Sequence, residues 1–302
     1  MNGSHDGSAE VLRIPVADGE LELHRWPAAD PAAPVVLALH GITANGLCWT
    51  RVARQLAGRV TLLAPDLRGR AGSAAIEGPF GIGAHAGDVA ALLAALDLPQ
   101  VVLTGHSMGA FVAALAAARY PGLFSRLLLI DGGVGFPAPT DLGPDELITA
   151  VIGPAMTRLK LTFPDREAYR GFWQQHPAIA GSWSPAVDVY VQHDLVGAEP
   201  ELRSSCRLDA VRVDGVDVFS AEVLAAVHEL AMPSELLWAQ RGLLGEEQGL
   251  YDPGRLAAAA LEDTGLVTRM VPGTNHYTVL IGEHGAGVVA RHLLAAAGLS
   301  GD

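Results

Sequence analysis

Lysine is nearly missing from this 302-residue chain: Lys160 is its only one, and 20 basic residues stand against 33 acidic ones. The resulting net charge of -13 repels phosphate backbones, and no arginine-rich stripe with interleaved aromatics offsets it, which excludes nucleic acid as a partner. Cysteine is equally scarce. Cys48 and Cys206 are too few for a disulfide framework or a structural zinc site, and both are expected to be buried packing residues. No apolar run approaches the roughly 18 residues of a membrane span. The opening "MNGSHDGSAE" lacks the basic and apolar regions of a signal peptide, so the expected location is the cytoplasm, away from membranes. Among 11 histidines no pair has the H-E-x-x-H spacing of a zinc hydrolase, and "GIGAHAG" misses the dinucleotide fingerprint. Neither a metal nor an organic cofactor is expected.

What is present is apolar residue in short runs, half of the chain in all. "VLRIPVADGELELHRW" holds two alternating stretches joined by Asp18-Gly19, the signature of a hairpin at a sheet edge. Thereafter "PVVLALHG", "RVTLLAPDL", "QVVLTGHS" and "FSRLLLID" are continuous apolar runs of strand length, as in parallel strands covered on both faces. Helix-like stretches separate them: "CWTRVARQLAG", "HAGDVAALLAALDL" and "MGAFVAALAAARYP". This alternation predicts an α/β fold with a mainly parallel sheet. It stops at Asp131 and resumes near "SELLWAQRG". The residues between carry Phe163, Tyr169, Phe172, Trp173, Trp183 and Tyr190, too many large apolar groups for a solvated linker. The expected organisation is a core over 1–131 and 234–302 with a helical lid over 132–233. Most of these aromatics are accounted for by the lid's own packing. Trp173, Trp183 and Tyr190, with His106, are the candidates for a substrate pocket.

Gly105-His106-Ser107-Met108-Gly109 matches G-x-S-x-G with a strand before it and a helix after it. A sharp turn there exposes the serine hydroxyl above a helix N-terminus, whose N–H groups stabilise negative charge. From about Val11 to Leu299 the chain resembles the α/β-hydrolase fold enzymes that carry a lid, with the mostly parallel twisted sheet flanked by helices. "LALHGITAN" resembles their His-Gly loop and "APDLRGRAGS" their D-x-R-G-x-G-x-S segment. The resemblance implies an oxyanion hole from the backbone N–H groups of Ile42 and Met108, and loop-holding roles for His40, Asp66 and Arg68.

A serine hydroxyl needs a base, and the base needs an anion to fix its tautomer. "VPGTNHYTVL" sets His276 just past the last strand, where the family's catalytic histidine sits. The acid is less direct. In most relatives it follows the next-to-last strand, but there "LLWAQRGLLGEEQGLYD" puts Gly242 in the aspartate's place. A minority of the family takes the acid from the end of the preceding strand, which here is Asp131 in "LLLIDGG". Glu246, Glu247 and Asp252 on the later loop remain the alternative acids.

The expected reaction is hydrolysis of a carboxylic ester or lactone with a hydrophobic body, through an acyl-enzyme on Ser107. Carbon–carbon bond hydrolysis and cofactor-free haloperoxidase chemistry share the same apparatus. A non-catalytic receptor that encloses a small ligand is the alternative of another class. The sequence leaves a homodimer open.

Overall fold

The computed structural model describes residues 9–135 and 155–300, together with Glu146 and Gly153. The polar start and much of the first part of the segment expected as a lid lie outside the described residues. Strands β1 (Glu10–Val16) and β2 (Gly19–Trp26) pair antiparallel with Val16 opposite Gly19, so the hairpin turns at the Asp-Gly step. The sheet continues with β3 (Val35–Leu39), β4 (Thr61–Pro65), β5 (Val101–His106) and β6 (Phe124–Ile130). Two short strands, β7 (Leu195–Val196) and β8 (Arg203–Ser204), form a separate ribbon, after which β9 (Ser234–Arg241) and β10 (Val267–Asn275) complete the main sheet. Its order is β1-β2-β4-β3-β5-β6-β9-β10. β2 pairs antiparallel with both neighbours, and every pairing from β4 to β10 is parallel. The strand carrying the serine is therefore central, flanked by β3 and β6.

The unbroken apolar strands follow from helices on both faces. In β3, Leu37 and Leu39 pack with α2 (Ile82–Ala95) and α3 (Met108–Arg119). Val36 and Ala38, one step out of phase, pack instead with α1 (Thr50–Leu56) and α10 (Glu283–Ala296). Side chains alternate across a strand, so a strand buried on both faces has to be apolar at every position. Each buried Leu or Val contributes about 1.5–3 kcal/mol relative to exposure. Cys48 and Cys206 belong to this packing: both are buried and unpaired, and burial pushes the Cys206 thiol up to about 11.

Between β6 and β9 the described chain forms α4 (Arg166–Gln174), α5 (Pro185–His193), α6 (Leu208–Asp217) and α7 (Ala221–Ala225). Asp165 caps α4 by accepting from Ala168 N at 2.7 Å, and Ser184 caps α5, with Pro185 at its first turn. Buried polar groups tie this segment together. Asp194 accepts from Arg158 at 2.5 Å, the Tyr169 hydroxyl at 2.6 Å, and the hydroxyls of Ser204 and Ser205. Others tie it to the core: Asn45 Nδ2 donates to Tyr190 O at 3.0 Å, and Gly81 N to Asp214 at 2.6 Å. The remaining helices are α8 (Pro253–Ala258) and α9 (Thr278–Ile281). Among the described residues no helix is long and apolar enough to cross a membrane.

Candidate active site

β5 ends against α3 with a single residue between them. Ser107 takes up the reversal at φ 57° and ψ −125°, a backbone conformation unfavourable for a residue with a side chain. Its N–H continues the ladder by donating to Ile130 O at 3.0 Å. The flanking glycines are steric requirements. A Cβ on Gly105 would lie 2.0 Å from Gly109 O, and one on Gly109 would lie 2.5 Å from the carbonyls of Leu39 and His40.

Asp131 follows the last residue of β6, wholly buried and at φ 43°. Its N–H donates to Leu237 O of β9 at 2.8 Å, and its Oδ1 accepts from Ala239 N of the same strand at 3.0 Å. The other oxygen, Oδ2, lies 2.6 Å from His276 Nδ1. A carboxylate only accepts, so Nδ1 carries the proton and Nε2 is left as the basic nitrogen. The loop after β10 that bears His276 is itself held. His106 Nε2 donates to the backbone carbonyl of His276 at 2.8 Å, and the two rings are 4.6 Å apart. Burial, then the neighbouring His276, holds His106 well below the usual histidine range, so it is a neutral donor.

Ser107, Asp131 and His276 line one cavity of about 70 Å³ with Ile42, Met108, Phe111 and Tyr251. A second hollow of about 50 Å³ shares Ser107, His276 and Ile42 and adds His106, Trp173 and Tyr190. Beyond them opens a cleft of about 670 Å³ bordered by Phe172, Trp173, Leu250 and Tyr277. Leu243 borders all three spaces.

A family model described as alpha/beta hydrolase fold matches residues 34–167, from β3 into α4. The solved structure of E-2-(acetamidomethylene)succinate hydrolase superposes with a TM-score of 0.78 over 95% of this chain and 98% of that one, at 20% identity. The chain has the α/β-hydrolase fold. Among curated proteins it is similar to 2-(acetamidomethylene)succinate hydrolase of Mesorhizobium japonicum, 35% identical over 33% of this chain and 36% of that protein. It is also similar to the lipase LipV of Mycobacterium tuberculosis, 36% identical over 38% of this chain and 42% of that protein. The chain spans about a third of the length of the first curated relatives it matches.

In this α/β-hydrolase fold none of the alternative acids lines the cavity at Ser107. Glu246 is exposed and accepts from Leu244 N at 2.8 Å; Glu247 is exposed; Asp252 caps α8 by accepting from Arg255 N at 2.9 Å. Of the aromatic candidates, Trp173 and Tyr190 border the hollow beside Ser107, whereas Trp183 is half-buried in packing against the core. His40 donates from Nδ1 to Gly41 O and accepts from Leu67 N, both at 2.8 Å; burial holds it down at about 3, so it stays neutral. Arg68 grips Asp88 through two contacts of 2.6 Å.

Sequence reasoning missed Arg70. Its Nε donates to Ile42 O at 3.0 Å, its Nη2 lies 3.8 Å from Met108 Sδ, and its Nη1 pairs with buried Asp214 at 2.5 Å. One guanidinium thus touches both residues expected to supply the oxyanion N–H groups. It also missed Leu243, Leu250, Tyr251 and Tyr277, which lie in loops without periodicity. The only available signal was their place just after the last two strands, since loops there form the rim of such sheets.

Proposed function

We propose that the protein is a serine hydrolase that cleaves a carboxylic ester or lactone with a hydrophobic body through an acyl-enzyme. The observation that carries this reading is the 2.6 Å contact between Asp131 Oδ2 and His276 Nδ1, in a cavity that also exposes Ser107, Ile42 and Met108. Ser107 Oγ attacks the carbonyl carbon while His276 Nε2 takes its proton, and Asp131 stabilises the imidazolium. The oxyanion is held by the N–H groups of Ile42 and Met108, each worth about 3–4 kcal/mol. His276 then returns the proton to the leaving alcohol. Water, deprotonated by the same imidazole, releases the acid and restores Ser107.

The segment between β6 and β9 acts as the lid that excludes bulk water. The two hollows at Ser107 are smaller than the ~300 Å³ at which ligand pockets begin. The acyl group therefore occupies the inner space, and the rest of the substrate extends past Leu243 into the 670 Å³ cleft. That cleft offers more apolar than polar surface, which suits a hydrophobic body.

The test is turnover of p-nitrophenyl esters, lactones and vinylogous diketones side by side, with fluorophosphonate labelling. Expected are labelling of Ser107, a burst of alcohol, and loss of both in Ser107→Ala. Turnover of the diketones alone would move the assignment to carbon–carbon bond hydrolysis. Ligand binding without labelling or turnover would identify a receptor.

A further inference from the structure

Away from the serine, four side chains from three separate parts of the chain converge on one point: Glu22, His24, Asp66 and His193. None of them lines the cavity at Ser107. Glu22 and His24 are two residues apart on β2, so they project from the same face. Asp66 follows the last residue of β4, the strand paired with β2. His193 is the final residue of α5 and comes from the inserted segment.

The donor atoms all lie within 4.8 Å of one another. His24 Nε2 is 3.3 Å from Asp66 Oδ1 and 3.8 Å from Glu22 Oε1; His193 Nε2 is 2.8 Å from Asp66 Oδ2 and 3.3 Å from Glu22 Oε1. A tetrahedral zinc site with bonds of about 2.0–2.1 Å has donor–donor edges of about 3.3–3.4 Å, so the four spacings straddle that value. Both ends of the range have to adjust by about half an ångström, the 2.8 Å pair widening and the 3.8 Å pair closing, and because the two imidazoles face different oxygens of Asp66, its carboxylate turns one oxygen to the ion.

The surroundings orient these donors. Asp66 accepts from Gly46 N at 2.7 Å on Oδ1 and from Gly72 N at 2.9 Å on Oδ2. The outer oxygen of Glu22 pairs with Arg13 at 2.6 Å, which leaves Oε1 facing the imidazoles, and its N–H donates to Ser73 Oγ at 2.9 Å. Such contacts fix the lone pairs of ligating carboxylates. The space is shaped to match: a Cβ on Gly72 would lie 2.2 Å from the Glu22 carboxyl carbon. Glu22, His24 and Asp66 are buried, while His193 remains about a quarter exposed and gives an ion a way in.

We propose that Glu22, His24, Asp66 and His193 form a structural binding site for a divalent transition-metal ion, zinc being the best fit, that fastens the inserted segment to the sheet. Two imidazole nitrogens and two carboxylate oxygens suit zinc in hardness and number, and two carboxylates balance its charge. The ion displaces the imidazole protons that otherwise bridge these rings to the carboxylates. All four protein positions are then filled, so the site holds metal without an open position for a catalytic water.

The test uses the full chain, stripped with a chelator and titrated with Zn²⁺ alone and then with Co²⁺ alone. Expected are one tightly bound ion per chain by elemental analysis, the intense visible bands of four-coordinate Co²⁺, and a melting temperature that rises with added Zn²⁺. His193→Gln, on the most exposed ligand, is expected to weaken Zn²⁺ binding by more than about a hundredfold, since changes to residues merely supporting ligands cost ten to a hundredfold. Absence of stoichiometric metal, six-coordinate Co²⁺ spectra, or unchanged affinity in His193→Gln would overturn the site. Should the variant not fold, stoichiometry and spectrum of the unaltered chain decide alone. In that case a simple ion-paired cluster is the result if no metal binds.

Discussion

The two halves of the site are built by opposite means. At the serine, position is set by backbone: a one-residue reversal, glycines where a Cβ cannot fit, and an aspartate whose N–H and Oδ1 are both tied to β9. Across the cavity, the segment between β6 and β9 is positioned by buried charge. Arg70 pairs with Asp214 and Arg158 with Asp194, with both members of the first pair fully buried. Backbone geometry is cheap to keep and specified locally. Buried ion pairs depend on both partners, and losing one strands the other. The serine side should therefore fail in chemistry while staying folded, and the inserted side should fail first in stability.

The largest effect expected from that contrast is at Asp131. Asp131→Asn should lower kcat by about 10⁴ and leave melting nearly unchanged, as for the acid of other triads. Near-normal turnover, with loss instead in Glu246→Gln or Glu247→Gln, would break the assignment. Next is Asp214→Asn, which leaves buried Arg70 without its carboxylate and should cost about 3–5 kcal/mol of stability. Burial alone would raise the Asp214 pKa, but Arg70, His85 and the Gly81 N–H overcome it and hold it below the usual carboxylate value. This contribution is therefore complete above the ordinary value of 3.8 and declines as pH falls below it. Melting curves of both proteins from neutral pH downwards should show a constant gap that narrows only below that point. A gap independent of acid would remove the ionic explanation.

His106→Phe sharpens the comparison further. It leaves the His276 carbonyl buried without its donor, at a cost of about 1–3 kcal/mol. Because that carbonyl belongs to His276, the proposed base, kcat should fall while KM changes little. The smallest effect is expected from Leu243→Ala, which joins the inner hollows to the outer cleft. Preference should move toward bulkier acyl groups by about tenfold, the low end for a hydrophobic pocket step, read as the ratio of kcat/KM across an ester series.

What could be read beforehand follows the same division. The hairpin at Asp18-Gly19, the doubly buried strands and the turn at Ser107 are encoded within a few neighbouring residues, and each stands where the pattern put it. Asp131 was legible as a candidate because its strand ends in "LLLIDGG", but only the contact with His276, 145 residues away, separates it from Glu246, Glu247 and Asp252. Arg70 was illegible for the same reason: its partner Asp214 is remote, and no local pattern announces such a pair. Trp173 and Tyr190 reach the hollow from α4 and α5 while Trp183, in the turn before α5, does not, a distinction made by place in the fold rather than by residue type.

Anchoring Asp131 to β6 and β9 leaves the stretch from Gly242 to Asp252 with no carboxylate at the His276 imidazole. That stretch nevertheless supplies Leu243, Leu250 and Tyr251 to the walls around the serine. Loop grafting or insertion there would change what enters without unseating the contact between Asp131 and His276, which makes it the natural place to diversify a library for altered selectivity.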